Sequence, residues 1–176
     1  MSENKTLPNP QTCLALLHTH GCSDEVIQHC LAVRDIAVRI AQKAHANIAL
    51  VEAGAILHDI GRSKTHGILH GVLGAELARN LGLPEQIIMI IERHIGAGIP
   101  KNESEALGLP PKDYMPISLE EKIVAHADNL ISGNRRQNVE KEIEKALRLG
   151  LINYAERLKK LHGELSEICG VDLNSI

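Results

Sequence analysis

The run Ala53-Gly-Ala-Ile-Leu-His-Asp-Ile-Gly61 sets an imidazole and a carboxylate side by side at the end of an almost wholly apolar stretch. A helix from about Ile48 to Asp59 that is apolar nearly all round belongs at the centre of a bundle. His58 and Asp59 must then be buried with it, and buried polar or charged groups are costly unless something answers them. Gly61 is read as a left-handed stop for this helix. Taken alone, the pair could also be a cap followed by a surface charge, so the reading depends on the rest of the chain.

Other segments do answer it. Val26, His29, Val33, Ile36 and Ile40 recur at three- and four-residue steps, which puts His29 in the apolar seam of its helix. His70 falls in register with Leu73, Leu77 and Leu81, His94 with Ile87 and Ile91, and Asp128 with Val124 and Ile131. One histidine in a seam is ordinarily a hydrogen-bonded core residue. Four helices that each turn a ligand-type side chain inward point instead to a shared divalent cation.

The order His29, then His58-Asp59, then Asp128 resembles the HD-domain metal-dependent phosphohydrolase superfamily, over a stretch from about Val26 to Leu130. Ile68-Leu-His-Gly-Val-Leu-Gly-Ala75 and Glu92-Arg-His-Ile-Gly-Ala-Gly98 add His70 and His94. These are similar to the extra histidines of dinuclear branches, notably the bacterial diadenosine tetraphosphate hydrolases. Gly61-Arg62 and His126 depart from that branch. The resemblance implies an all-α HD-domain helical bundle in which His29, His58, Asp59, His70, His94 and Asp128 bind one or two ions. Without thiolates, such a site suits Fe, Mn, Co, Ni or Zn as a catalytic rather than a structural metal. Two ions bridged by Asp59 would lie roughly 3.5–4 Å apart and could hold a nucleophilic hydroxide between them.

Arg62, Lys64 and His66 follow the pair in one loop. Arg62 is read as neutralising phosphate oxygens, for which the guanidinium fork is suited. Lys64 reads equally as a substrate contact or a solvated charge. His66 could protonate a leaving oxygen, contact phosphate or be merely exposed. His126, two residues before Asp128, points elsewhere on its helix, and a ligand or supporting role stays open for it. His18, His20, His45 and His162 read as surface residues. Cys30 adjoins His29 but lies one step around the helix, and it reads as structural; Cys13, Cys22 and Cys169 read as packing residues or free thiols.

Composition limits the partners. Hydrophobic residues make up 44% of the 176 but aromatics only 1%, with Phe and Trp absent and two Tyr. Stacking platforms for single-stranded nucleic acid are nearly unavailable. The net charge of -3 and the lack of a basic stripe argue against dedicated nucleic-acid binding. A small phosphorylated substrate, such as a nucleotide, remains. No apolar run reaches the roughly 20 residues of a membrane span and Met1-Ser-Glu-Asn-Lys-Thr6 lacks a signal-peptide core, so a cytoplasmic protein without membrane contact is expected. Self-association is left open.

Residues 1–12 are expected to fray and 13–176 to form one domain, with 139–176 as two C-terminal packing helices. Ser118 and Glu121 read as a capping box for the Asp128 helix. Between them and His94, Gly96–Ile117 holds four prolines and three glycines with at most a turn at Glu103–Leu107. A loop this long is commonly functional. It is expected to shape the substrate pocket, with Lys101, Lys112 or Tyr114 in contact. The reading as a whole is metal-dependent hydrolysis of a nucleotide or related phosphate ester, against a regulatory HD module that binds metal or nucleotide without turnover.

Overall fold

The elements run α1 (Pro10–Thr19), α2 (Asp24–Ala44), α3 (Ile48–Leu57), a 3-10 turn (Ile60–Ser63), α4 (His70–Asn80), α5 (Glu85–Arg93), α6 (Lys101–Ser104), α7 (Leu119–Asn129), a hairpin of β1 (Ile131–Ser132) and β2 (Arg135–Arg136), α8 (Val139–Arg148), α9 (Ile152–Cys169) and a closing 3-10 turn (Leu173–Ser175). The computed structural model describes residues 6–176, and over these the chain is an all-α bundle. Helix α1 begins inside the segment expected to fray, because Asn9 accepts from the Thr12 N–H and Pro10 occupies the first turn. Residues 1–5 of that segment lie outside the described residues.

Helix α3 is the axis. Leu50, Val51 and Ala53 to Leu57 are all buried, and α1, α2, α5 and α7 pack around them. Gly54 lets α5 approach, since a Cβ there would stand 2.6 Å from Ile90 Cδ1. With no Phe or Trp, the core is aliphatic: Ile40, Ile56, Leu57, Ile87, Ile91 and Ile123 are fully enclosed, each contributing about 1.5–3 kcal/mol of burial. Among the described residues no helix is long and apolar enough to cross a membrane.

Three local expectations are corrected. The inward face of α4 is His70, Gly71, Gly74, Ala75 and Ala78, not the Leu73–Leu77–Leu81 row, and Leu81 is exposed. Small residues win because α4 lies very close to the 3-10 turn and α5: a Cβ on Gly74 would meet Ile91 Cγ2 at 2.9 Å and Gly61 N at 3.0 Å. Gly61 is not left-handed. It sits in the 3-10 turn, where any Cβ would overlap the His70 carbonyl oxygen. At α7, Ser118 Oγ accepts from the Glu121 N–H as expected, but the Glu121 carboxylate reaches the Ile117 N–H, one residue too early for the reciprocal half of a box.

Segment 96–117 is more ordered than its prolines and glycines suggest. It contains α6, and an isolated bridge joins Ile99 to Tyr114, gathering Ile99, Leu109 and Tyr114 into a small satellite core.

Candidate metal centre and its cavity

Six side chains from five helices converge. His29 comes from the second turn of α2, His58 caps the end of α3 and Asp59 follows it, His70 opens α4, His94 caps α5, and Asp128 lies in the last turn of α7. His29 Nε2 is 2.9 Å from Asp128 Oδ1 and 3.8 Å from Asp59 Oδ2. His58 Nε2 is 3.6 Å from Asp59 Oδ2 and 3.7 Å from Asp128 Oδ1. On the other side of Asp59, Oδ1 stands 3.2 Å from His70 Nε2 and 3.4 Å from His94 Nε2.

The backbone decides which ring nitrogens face inward. The carbonyls of Gly133, Ala55, Gly67 and Ile91 take the Nδ1 of His29, His58, His70 and His94 at 2.6, 2.7, 2.8 and 2.7 Å. A carbonyl only accepts, so each Nδ1 carries a proton, and each ring, when neutral, presents an Nε2 lone pair to the centre. This is the polarity of metal-ligating histidine. His70 Nε2 and His94 Nε2 lie 3.1 Å apart, where two lone pairs repel unless a proton or cation lies between them. His58 Nε2 and Asp59 Oδ1 are buried with no hydrogen-bond partner. The donors fall into groups suited to holding a metal ion, each within 4.8 Å: His29, His58 and Asp59; His58, His94 and Asp128; Asp59, His70 and His94. Asp59 has one oxygen on each side, so it could bridge two ions.

The electrostatics fit the same reading. Burial pushes His58 down to about 4, which keeps it neutral despite its carboxylate neighbours. Burial also opposes the charged form of His29, but the hydrogen bond and charge of Asp128, the Gly133 carbonyl and the Asp59 charge together outweigh this and lift it to about 9. For Asp59 and Asp128 burial works against ionisation too, and the surrounding histidines overcome it, holding both below the usual carboxylate range. In the metal-free protein His29 therefore carries a proton that a metal bound through its Nε2 would have to displace. Metal affinity is expected to rise about tenfold per pH unit from pH 7 to about 9 and then level. The proton's own contribution to stability, complete below 6.5, is lost as pH rises through about 9. The gap in melting temperature between loaded and metal-free protein should thus widen across that interval. A chelator-competition titration that is flat between pH 7 and 9 would exclude this linkage.

A cavity of about 500 Å³ opens beside the centre, with Arg62 and Asp128 in its wall. Arg62 Nε donates to Asp59 Oδ2 at 2.6 Å, so in this state the guanidinium serves the carboxylate. Lys64 and His66 are exposed on the same loop and do not line the cavity. Loop residues Gly96, Gly98, Ile99, Glu103 and Leu107 do line it, but the three side chains expected from that loop do not. Lys112 pairs with Glu92 at 2.6 Å, Tyr114 is buried and donates to the Pro110 carbonyl, and Lys101 is exposed at the start of α6. What the sequence reading missed is further wall: Gln137, just before α8, and Lys145, Tyr154 and Arg157 from the segment expected only to pack. Nothing in the helical pattern of the last three distinguishes a cavity wall from a solvated face.

His126 turns away from the centre. Its Nε2 lies 2.9 Å from His162 Nδ1, and His162 Nε2 lies 3.1 Å from Asp172. His162 is mostly covered rather than on the surface, with 15% of its side chain exposed. Cys30 is fully enclosed, and burial raises its thiol well above the ordinary value, in keeping with a structural residue.

The family model of the HD domain matches residues 26–133. The chain belongs to the HD-domain family. A tRNA (cytidine(56)-2'-O)-methyltransferase of Thermoplasma volcanium is 46% identical over 172 residues, 98% of this HD-domain chain and 51% of that protein. The chain thus spans about half the length of that relative. An uncharacterized protein of Methanocaldococcus jannaschii is 51% identical over 152 residues, 84% of this chain and 85% of the other. Among solved structures, the HD domain of the L. monocytogenes phosphodiesterase PgpH in complex with cyclic-di-AMP superposes with a TM-score of 0.56 at 19% identity, covering 89% and 96% of the two chains. At that identity the likeness is one of fold. These relationships establish the superfamily and not the dinucleoside polyphosphatase branch.

Proposed function

We propose that this HD-domain protein is a metal-dependent phosphohydrolase acting on a nucleotide or related phosphate ester. The observation that carries the reading is the set of four Nε2 lone pairs, fixed by four backbone carbonyls, around a carboxylate with one oxygen toward each pair. His29, His58, Asp59 and Asp128 would hold one ion, and Asp59, His70 and His94 a second. Bound divalent cations supply Lewis acidity toward water and toward a phosphoryl oxygen. The chain's own part is orientation and charge. The carbonyl tethers hold the rings, and burial keeps His58 neutral at working pH. Arg62, which already lines the cavity, would leave Asp59 as cations take over its charge and turn its fork to the phosphoryl oxygens. Lys64 and His66 lie off the cavity wall, and no role is assigned to them.

The relation to a protein named for a tRNA substrate supports a second reading, in which the domain works on or beside RNA, against the expectation of no dedicated nucleic-acid binding. One experiment tests the first reading. The purified chain is assayed for metal content and then against phosphomonoesters, cyclic and linear phosphodiesters and dinucleoside polyphosphates under Mn, Co, Ni and Fe(II). Phosphate or nucleotide release that needs added metal and stops with chelator is expected. Stoichiometric metal with no ester cleaved would overturn the hydrolase reading in favour of a binding module.

A further inference from the structure

We infer that the part of the cavity lined by Gln137 and Tyr154 is a nucleoside subsite, in which Gln137 reads the edge of a base and Tyr154 supports its ring, making the substrate a nucleoside phosphate. The inference rests on the phosphohydrolase reading for the position of the phosphate. A space of about 500 Å³ falls within the usual range of small-ligand sites, about 300–1,000 Å³. It accommodates one nucleotide and cannot enclose folded RNA.

The lining mixes two chemistries. Arg62 and Asp128 join the cavity to the metal centre and Glu103, Glu142, Lys145 and Arg157 add further charge, while Ile99, Ile131, Leu151 and the Tyr154 ring contribute apolar wall that a bare phosphate or sugar has no use for. Of the two tyrosines in the chain, Tyr114 is locked in the satellite core, and Tyr154 stands in the cavity wall. Gly96 seats that ring: a Cβ there would lie 2.7 Å from Tyr154 Cε2.

Gln137 supplies the polar reading. Its Nε2 donates one hydrogen to the Asn129 carbonyl at 3.0 Å, which fixes the amide. Among the described residues its second N–H and its Oε1 are used by no protein group. A donor beside an acceptor, held in one plane, matches the N6/N7 edge of adenine. Asn129 links both elements to the centre. It follows Asp128 directly, its carbonyl holds Gln137, and its Oδ1 lies 3.4 Å from the Tyr154 hydroxyl.

The test measures binding by the metal-loaded protein of two non-hydrolysable phosphonates, one an analogue of adenosine 5′-monophosphate and one of ribose 5-phosphate. The adenosine compound is expected to bind at least about tenfold tighter, as stacking and edge contacts require. Tyr154→Leu and Gln137→Leu should each reduce that preference to within about threefold without changing ribose-phosphonate affinity or metal content, and Tyr154→Phe should keep it. Equal affinity of the wild-type protein for the two probes, or no binding of either, overturns the subsite and leaves the hydrolase reading standing. Base preference without any ester cleavage counts against the hydrolase reading alone. A short oligoadenylate run in parallel identifies the source of the nucleoside phosphate. Tighter binding than the mononucleotide analogue assigns an RNA terminus and weaker binding a free nucleotide, and either result upholds the subsite.

Discussion

Replacing His58 or Asp59 by alanine is expected to reduce metal affinity by more than about 100-fold, a larger loss than removal of a mere supporting group, and to abolish turnover with it. His58 is fully enclosed and its Nε2 has no hydrogen-bond partner, so its removal deletes a donor that water or a neighbouring side chain cannot replace. Asp59 has one oxygen toward His29 and His58 and the other toward His70 and His94, and both ions should be lost together in Asp59→Ala. The helical fold should survive in each variant, because the apolar residues of α3 are untouched. Metal analysis with circular dichroism decides the matter. Normal metal stoichiometry in both folded variants would show that the cluster is not the site.

Gly61→Ala is expected to be the most destabilising single methyl in the molecule, costing about 4 kcal/mol or more, in the range reserved for named steric or cavity defects. The added Cβ would overlap the backbone carbonyl of His70 and approach Gly74 N at 2.7 Å. Backbone cannot swing aside as a side-chain tip can, so α4 must move off the 3-10 turn. Since that movement carries His70 away from Asp59, the variant should also lose the His70–His94 ion before the other. Gly163→Ala provides the contrast: this exposed glycine within α9 has nothing within 4 Å of the point where a methyl would stand, and alanine there should stabilise by about 1 kcal/mol. Equal thermal midpoints for the two variants would show that the contact of α4 with the turn is loose.

Much of the centre is legible in the chain because each contributing residue obeys a periodicity internal to its own helix. His29 shares a face with Val26 and Val33, and His94 with Ile87 and Ile91. A buried face is dictated by local hydrophobic spacing, so the inward direction of these rings, and hence an all-α bundle around α3, can be read without knowing which helix lies opposite. His70 is placed correctly by its spacing, but for the wrong reason. The leucine row in register with it lies at the margin, half-buried at Leu73 and Leu77 and exposed at Leu81, and the fully buried face consists of glycines and alanines whose value is the close approach they permit rather than their hydrophobicity.

What is not legible depends on pairs of elements far apart in sequence. Nothing in Gly61-Arg62 says that the glycine faces the His70 carbonyl or that the guanidinium closes on Asp59. Nothing in the α8 and α9 pattern says that Tyr154 and Arg157 wall a cavity while Leu158 and Leu161 fill the core. The relay from His126 through His162 to Asp172 joins residues 36 and 10 positions apart. By itself the sequence determined most of the helices, the inward faces of α2, α3 and α5, and which six side chains are candidate donors. The tertiary structure alone decided the tautomers, the placement of one Asp59 oxygen toward each set of histidines and the shape of the cavity. These are set by crossing angles and backbone approaches of a few tenths of an ångström, to which no single-helix period is sensitive.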